Sequence, residues 1–387
     1  MRVKQISFVP VVILAIASCT YTGGSVPVPD SGQITTVMLL DESPLAAGKE
    51  LADLSQIDIL ELSPEMIDFM DRWVDPNLVD YFRLRRLLYA VMGDGTFDLI
   101  YDDTTRTARE TFRDQRGNCL SFTNMFVAMS RHLGLESNFQ EVSVPPDWSV
   151  SGETFVFNLH INSQVKLNSY ADQMVDFNMY DFRLKYDREI ISDSRARAHY
   201  FNNMGVESML AGDPVLAFAN FRESIREDDS FSASWINLGT LYRREDYPGY
   251  AETAYIQALK VDDHSLVAMS NLANIFEEDG RVELAAIYGA KVKYHRTRNP
   301  YYHYQLARAA FDLGDYETAI DHLKTAVRKN KNEDMFYYLM SLSYHNSGDN
   351  EAAQRWMKKA EKVAEIDADK QKYNRKLDML ISDGTSG

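Results

Sequence analysis

Residues 232–265 read SASWINLGTLYRREDYPGYAETAYIQALKVDDHS, and their spacing of small and large residues recurs through the second half of the chain every 34 residues. An alanine recurs at intervals of this same length: Ala217, Ala251, Ala285, Ala319 and Ala353. A second series places Met or Leu directly before a small residue: Met204, Leu238, Leu272, Leu306 and Met340. A third series keeps the same step: Ser224, Ala258, Val292, Ala326 and Ala360. A fixed period of this length indicates stacked structural repeats.

These positions resemble the tetratricopeptide repeat (TPR), in five units over residues 196–364. The resemblance implies an all-α superhelix of helix pairs, in which small residues let the two helices of a unit cross closely. Residues 365–387 start as a charged, periodic stretch that suits a capping helix and end in a tail. Such arrays usually bind a protein or peptide in their concave groove, and a rigid spacer is the alternative.

The charge of the 387-residue chain excludes several classes of protein. It carries 41 Lys and Arg against 57 Asp and Glu, a net charge of −16. Because nucleic acid attracts a basic surface, we expect no nucleic-acid partner.

Two cysteines are too few for a disulfide scaffold or a four-cysteine zinc site. The length favours two or three domains.

The first twenty residues, MRVKQISFVPVVILAIASCT, are typical of a secretory signal. Arg2 and Lys4 precede an apolar run that is too short to cross a bilayer core. The sequence IASC at residues 16–19 resembles a bacterial lipobox, in which the chain is cut before a cysteine that then carries lipid. We therefore predict a signal peptide over residues 1–18 and lipidation of Cys19. An ordinary secretory signal with an incidental cysteine is the alternative.

The residues after Cys19 predict where the protein lies. Thr20, rather than Asp, follows the cysteine, and by resemblance to Gram-negative lipoproteins this implies the outer membrane, facing the periplasm. The membrane is thus an expected partner through the N-terminal lipid. Residues 19–50 begin with a Gly-, Ser-, Pro- and Thr-rich stretch, which predicts a flexible tether.

Residues 51–195 have the pattern of an α+β domain. Amphipathic helices are predicted at 64–75 and 79–92, and strands at 137–144, 154–162 and 174–178. Between them lies RGNCLSFTNMFVAMSRHLGL, residues 116–135, which predicts a helix that opens at Cys119 and stops at Gly134. Gly117 permits a tight turn before the cysteine. At a helix N-terminus, backbone N–H groups and the helix dipole favour a thiolate.

A cysteine that opens a helix, then a histidine in a strand, then an aspartate in a strand resembles the transglutaminase-like core of the papain-type superfamily. The resemblance covers about residues 75–180. It implies that Cys119 is the nucleophile, His160 the general base and acid, and Asp176 the carboxylate that orients the histidine. Each residue alone also has an ordinary structural explanation, as a small buried hydrophobe, a core histidine and a strand end.

Further expectations concern the surroundings of the thiol. The backbone N–H of Cys119 is the expected oxyanion donor, with Gln115 as a weaker candidate. Trp148, in the insertion over residues 144–155, is a candidate lid or else the packed tip of a surface hairpin. No cofactor and no metal are predicted, because the histidines are scattered and no HExxH, CxxC or phosphate-binding glycine loop is present.

The fold class predicted from these patterns is an α+β transglutaminase-like domain followed by an all-α TPR superhelix, the two packed together. The first functional hypothesis is an envelope-anchored enzyme that forms an acyl-cysteine intermediate, with hydrolysis of peptide or amide bonds favoured over transfer to an amine. The second is a non-catalytic envelope adaptor whose repeat groove recruits partner proteins.

Overall fold

The computed structural model describes residues 34–92, 97–143, 149–151, 154–156, 160–168, 170–177, 186–365 and 367–384. Within these ranges an N-terminal region of helices and short strands is followed by a continuous series of helices. The predicted fold class is confirmed. None of the described helices combines the length and apolarity that a membrane span requires.

The N-terminal region builds a small sheet against its helices. Its helices are α1 (Thr36–Leu40), α2 (Pro64–Trp73), α3 (Asp80–Met92), α4 (Ala108–Asp114) and α5 (Cys119–His132). Its strands are β1 (Ile100–Tyr101), β2 (Arg116–Gly117), β3 (Glu136–Val142), β4 (Ser149–Ser151), β5 (Thr154–Val156), β6 (His160–Lys166), β7 (Gln173–Val175) and β8 (Arg188–Ile191). The main sheet is antiparallel in the order β7-β6-β3-β8, while β1–β2 and β4–β5 form separate pairs. The described residues of the strand predicted over 154–162 belong to two strands in different sheets, β5 and the start of β6.

Helix α5 is the centre of this region because it is buried on nearly every face. Met125, Phe126 and Met129 are fully buried against α2 and α3. On its other side, Leu120 and Val127 pack against the sheet residues Phe139 and Ile161. A helix enclosed in this way has few alternative positions, so the residue at its N-terminus is held firmly.

The helices of the second half form five antiparallel pairs and a final helix. They are α6 (Asp193–Leu210), α7 (Pro214–Glu227), α8 (Ser232–Arg244), α9 (Pro248–Val261), α10 (Leu266–Glu278), α11 (Val282–Arg298), α12 (Pro300–Asp312), α13 (Tyr316–Lys329), α14 (Asp334–Asn346), α15 (Asn350–Val363) and α16 (Asp367–Gly384). The close crossing expected of the small residues is present. A Cβ added to Gly205 would lie 2.5 Å from the ring of Phe221, and one on Gly239 would lie 2.7 Å from the ring of Tyr255.

Helix α6 belongs to both regions, so the predicted boundary at residues 195/196 does not separate two cores. Ala196, Tyr200 and Phe201 lie in one buried cluster with Leu120 and Phe139 of the sheet-containing region. The same helix forms the first helix of the first repeat pair with α7. The sheet-containing region and the repeats are therefore joined through a shared hydrophobic core. A rearrangement of either region disturbs the packing of the other.

The flexible tether predicted over residues 19–50 is wrong for its described part, residues 34–50. This segment begins with α1, which Thr35 caps by accepting a hydrogen bond from the Met38 N–H. Leu39 and Leu45 are buried in the hydrophobic core of the first repeats. The Tyr242 hydroxyl donates to the Leu39 carbonyl at 2.6 Å and lies 2.8 Å from Ser43 Oγ. Composition favours a tether here, but two buried leucines are enough to dock the segment.

Tyr242→Phe is expected to loosen this docked segment. The substitution leaves the buried Leu39 carbonyl without its partner, at a cost of about 1–3 kcal/mol. Hydrogen exchange at the Leu39 and Asp41 amides should accelerate, while Tyr250→Phe, on a ring packed 5.1 Å from that of Tyr242, serves as the control. Unchanged exchange at both amides in Tyr242→Phe would show that the hydroxyl does not hold the segment.

Candidate active site

The thiol of Cys119 lies at the N-terminus of α5 and is partly exposed. Asn118 caps the helix, accepting a hydrogen bond from the Ser121 N–H at 3.0 Å. Its amide group donates to Thr105 Oγ1 at 2.8 Å, which ties the cap to the preceding loop. The first N–H groups of a helix have no partner within it, so they surround Cys119 with hydrogen-bond donors.

Gly117 is required because the turn before the cysteine has no room for a side chain. A Cβ at this position would lie 2.5 Å from Ser121 Cβ and 2.9 Å from Ser121 Oγ. Since Ser121 Oγ also bonds to Asn118 Oδ1 at 2.9 Å, a clash there disturbs the cap beside Cys119. The Gly-x-Cys spacing thus has a direct steric cause.

Gly117→Ala is expected to displace the start of α5. We expect a loss of about 1–3 kcal/mol of stability, as for other overpacked sites, together with slower acylation of Cys119. Gly134→Ala is the matched control at the other end of α5, where φ of +71° disfavours a side chain but the cysteine is not involved. If both variants slow acylation equally, the effect comes from lost stability and not from the turn at Gly117.

His160 and Asp176 are brought together by two neighbouring antiparallel strands. His160 is the first residue of β6, and Asp176 directly follows β7. His160 Nε2 lies 2.7 Å from Asp176 Oδ2, and both side chains are buried. Cys119 also acts on the His160 ring and raises its pKa, and with Nε2 on Asp176 the ring nitrogen left for the thiol is Nδ1. The three residues therefore form one chain of contacts.

The electrostatics of His160 favour its protonated form. Burial alone lowers the pKa of His160, but the Asp176 carboxylate and Cys119 outweigh it and raise the pKa from its usual 6.5 to about 10. An imidazolium between a carboxylate and a thiol stabilises a thiolate on the cysteine. This is the charge arrangement of an activated cysteine nucleophile.

Asn162 is a further residue of the site that the sequence analysis missed. It is fully buried, and its Nδ2 donates to Asp176 Oδ2 at 2.9 Å, the same oxygen that accepts from His160. The sequence signal for Asn162 is its position two residues after His160, because alternate residues of a strand lie on the same face of the sheet. Asn162 fixes the carboxylate and so acts on the histidine indirectly.

The first repeat helix braces the loop behind the cysteine. Glu207 of α6 accepts a hydrogen bond from the Thr105 N–H at 2.8 Å. Thr105 in turn accepts from Asn118, the cap of α5. Burial raises the pKa of Glu207. No local sequence signal links Glu207 to the site, since the contact spans about a hundred residues.

Of the two other predicted residues, one stands apart from this chain of contacts and one is not described. Gln115 is exposed and ends α4 with φ of 54°, where its backbone bonds to Thr111 and Ile100. Trp148, the candidate lid, lies outside the described residues.

One group of described residues has the spacing of cation ligands. Potential ligand atoms of Asp262, Asp263 and His264 all lie within 4.8 Å of one another. All three residues are exposed and lie just after α9. Exposed acidic turns commonly occur without an ion, so this group supports no metal centre.

Comparison with known families bears on both halves of the chain. Residues 68–175 match the model of the transglutaminase-like superfamily. The chain contains a transglutaminase-like core domain. That matched range includes Cys119 and His160 and ends one residue before Asp176. Residues 300–333 and 336–367 match tetratricopeptide-repeat models, so the transglutaminase-like domain is followed by TPR repeats.

Several solved structures are similar to part of this chain. YrrB, described as a TPR protein with an unusual peptide-binding site, is 13% identical with a TM-score of 0.25, over 46% of this chain and 92% of that one. MamA from Desulfovibrio magneticus RS-1 is 16% identical with a TM-score of 0.26, over 44% and 96%. PilF of Pseudomonas aeruginosa is 15% identical with a TM-score of 0.27, over 50% and 88%. A comparison with curated proteins gives no match.

Proposed function

We propose that this protein is a thiol-dependent hydrolase or transferase that acts on peptide or amide bonds through an acyl-cysteine intermediate. The observation that carries the proposal is the chain of contacts from Cys119 through His160 to Asp176, with the thiol partly exposed at a helix N-terminus. A buried structural cysteine needs neither exposure nor a charged histidine beside it.

The geometry supports a two-step reaction. The Cys119 thiolate attacks the carbonyl carbon, and the N–H groups at the start of α5 stabilise the oxyanion that forms. His160 donates its proton to the departing amine, so the C–N bond breaks and a thioester remains. A water molecule or an amine then attacks the thioester while neutral His160 accepts its proton, which frees the thiol. Bacterial relatives in the superfamily are often peptidase-like, which favours water as the acceptor.

An acylation assay tests the enzyme proposal directly. Cys19→Ala leaves Cys119 as the only thiol, so p-nitrophenyl acetate should release a burst of p-nitrophenolate and add one acetyl group to residue 119. The double variant Cys19→Ala/Cys119→Ala provides the background. A burst no faster than that of the unfolded chain would overturn the proposal.

We also propose that Cys19 carries the lipid that anchors the protein in the cell envelope, at the outer membrane facing the periplasm. Residues 1–33 lie outside the described residues, so the support is the sequence IASC at residues 16–19. In cells fed an alkyne-tagged palmitate, the wild-type protein should be labelled and Cys19→Ser should not. Equal labelling and equal membrane recovery of the two would contradict the anchor.

A non-catalytic adaptor is the second candidate, favoured by the TPR repeats, which suggest binding of other proteins. The two proposals separate in the acylation assay, because an adaptor needs no reactive thiol. If Cys119 reacts no faster than an ordinary cysteine while partner binding persists, the adaptor is correct.

A further inference from the structure

A cavity in the third repeat marks a place where the repeat pattern is interrupted. Phe221 and Tyr255 occupy equivalent positions in the first two repeats, and each ring fills the space above a small residue of the partner helix. The next position in this series, 34 residues on, is Gly289. Leu323 and Met357 restore a large side chain in the fourth and fifth repeats.

The space that an aromatic ring fills in the earlier repeats is open in the third. Apart from the backbone of its own helix, no atom lies within 4 Å of a Cβ built on Gly289, whereas the rings of Phe221 and Tyr255 at the equivalent positions closely approach Gly205 and Gly239. A cavity of about 400 Å³ lies here, lined by Ala273 of α10 and Gly289 of α11. This volume falls in the range of ordinary ligand pockets.

The cavity continues as a cleft between two helices. On α10 it is bordered by Ser270, Asn274 and Glu277, on α11 its border includes Ala285 to Arg296, and Tyr302 of α12 also lines it. Eleven helical steps span about 16 Å. At about 3.3 Å per residue, an extended segment of four or five residues fits along this length.

The charges beside the cleft select an acidic partner. Residues 291–298 of α11 contain Lys291, Lys293, Arg296 and Arg298 and no acidic residue, although the chain as a whole is strongly acidic. Lys293 and Arg296 line the cavity, with Glu277 on the opposite helix. Burial lowers the pKa of Arg296, so its guanidinium is partly removed from water and gains from a nearby carboxylate.

We propose that this cleft binds an extended segment of a partner protein, with an aromatic side chain in the cavity left by Gly289 and an adjacent acidic side chain beside Lys293 and Arg296. This deepens the recruiting role of the repeats and is independent of chemistry at Cys119. The partner completes a core that the first two repeats complete with their own aromatic residue.

Fluorescence anisotropy of a labelled Ser-Glu-Phe-Ser peptide tests the proposal. Ser-Glu-Ala-Ser and Ser-Lys-Phe-Ser peptides should bind at least about tenfold more weakly, a difference of about 1.4 kcal/mol. Gly289→Phe fills the cavity and should weaken binding to a similar extent. Gly289→Leu is a second filled variant that matches the size of Leu323, and Gly289→Ala is the control that adds only one methyl group.

The outcomes are separable from those of the enzyme proposal. Gly289→Phe should keep its circular dichroism spectrum and the rate of Cys119 acylation, because the cavity lies in the third repeat. Three peptides of equal affinity, no binding of Ser-Glu-Phe-Ser at millimolar concentration, or undiminished binding by both filled variants would overturn the proposal.

Discussion

His160→Ala is expected to slow the acylation of Cys119 at pH 7 by about 10²–10⁴-fold, the usual contribution of a general acid–base residue. The histidine hydrogen-bonds to Asp176 and interacts with Cys119, so its removal takes away the cation beside the thiol and the proton donor for the leaving group. Asp176→Asn should show a smaller loss in the same direction. His132→Ala, an exposed histidine at the far end of α5, is the control.

The pH dependence of this reaction follows from the raised pKa of His160, about 10 against an ordinary 6.5. Because the folded-state pKa lies above the unfolded one, protonated His160 stabilises the fold fully below about pH 6.5, and this stabilisation is lost as the pH rises through about 10. Acylation should therefore vary little between about pH 7 and 9 in the wild type. In His160→Ala it should climb steeply toward pH 8.5, where ordinary thiols ionise. Parallel profiles in the two proteins would mean that His160 does not act on the thiol.

Phe201→Ala is expected to destabilise both regions of the protein by about 3–5 kcal/mol, as for other fully buried aromatic residues. Phe201 lies on α6, in the cluster shared with Leu120 and Ile161. Its loss should speed hydrogen exchange in α5 and β6 as well as in the first repeat. Hydrogen exchange measured at the amides of these elements tests the shared core.

The matched control for this prediction is Phe336→Ala. Phe336 is equally buried, but its cluster contains residues of the last repeats only. The expected loss of stability is similar, with exchange in α5 unchanged. If Phe201→Ala also leaves α5 unaffected, the transglutaminase-like domain and the repeats are independent, and the shared core has no mechanical consequence.

Local patterns predicted most of the helices. The predicted helices at 64–75 and 79–92 are α2 and α3 to within two residues, because amphipathic spacing and the Ser63 cap act within single turns. The helix opening at Cys119 and ending near Gly134 is α5, since Asn118 and the two glycines are local signals. The flexible tether predicted from composition was wrong over residues 34–50, because Leu39 and Leu45 are buried against a surface that the repeats supply.

Period and spacing by themselves determined the helical array, the start of α5, and the order of cysteine, histidine and aspartate along the chain. Only the tertiary structure decided that β6 and β7 bring His160 to Asp176, that Asn162 and Glu207 support the site, and that α6 is shared by both regions. It also decided that Gly289 leaves a cavity, because a missing side chain leaves a cavity only where no neighbouring side chain fills the space. The physical reason is range: caps and periodic faces act over one or two helical turns, whereas strand pairing and core contacts join residues that are far apart in sequence.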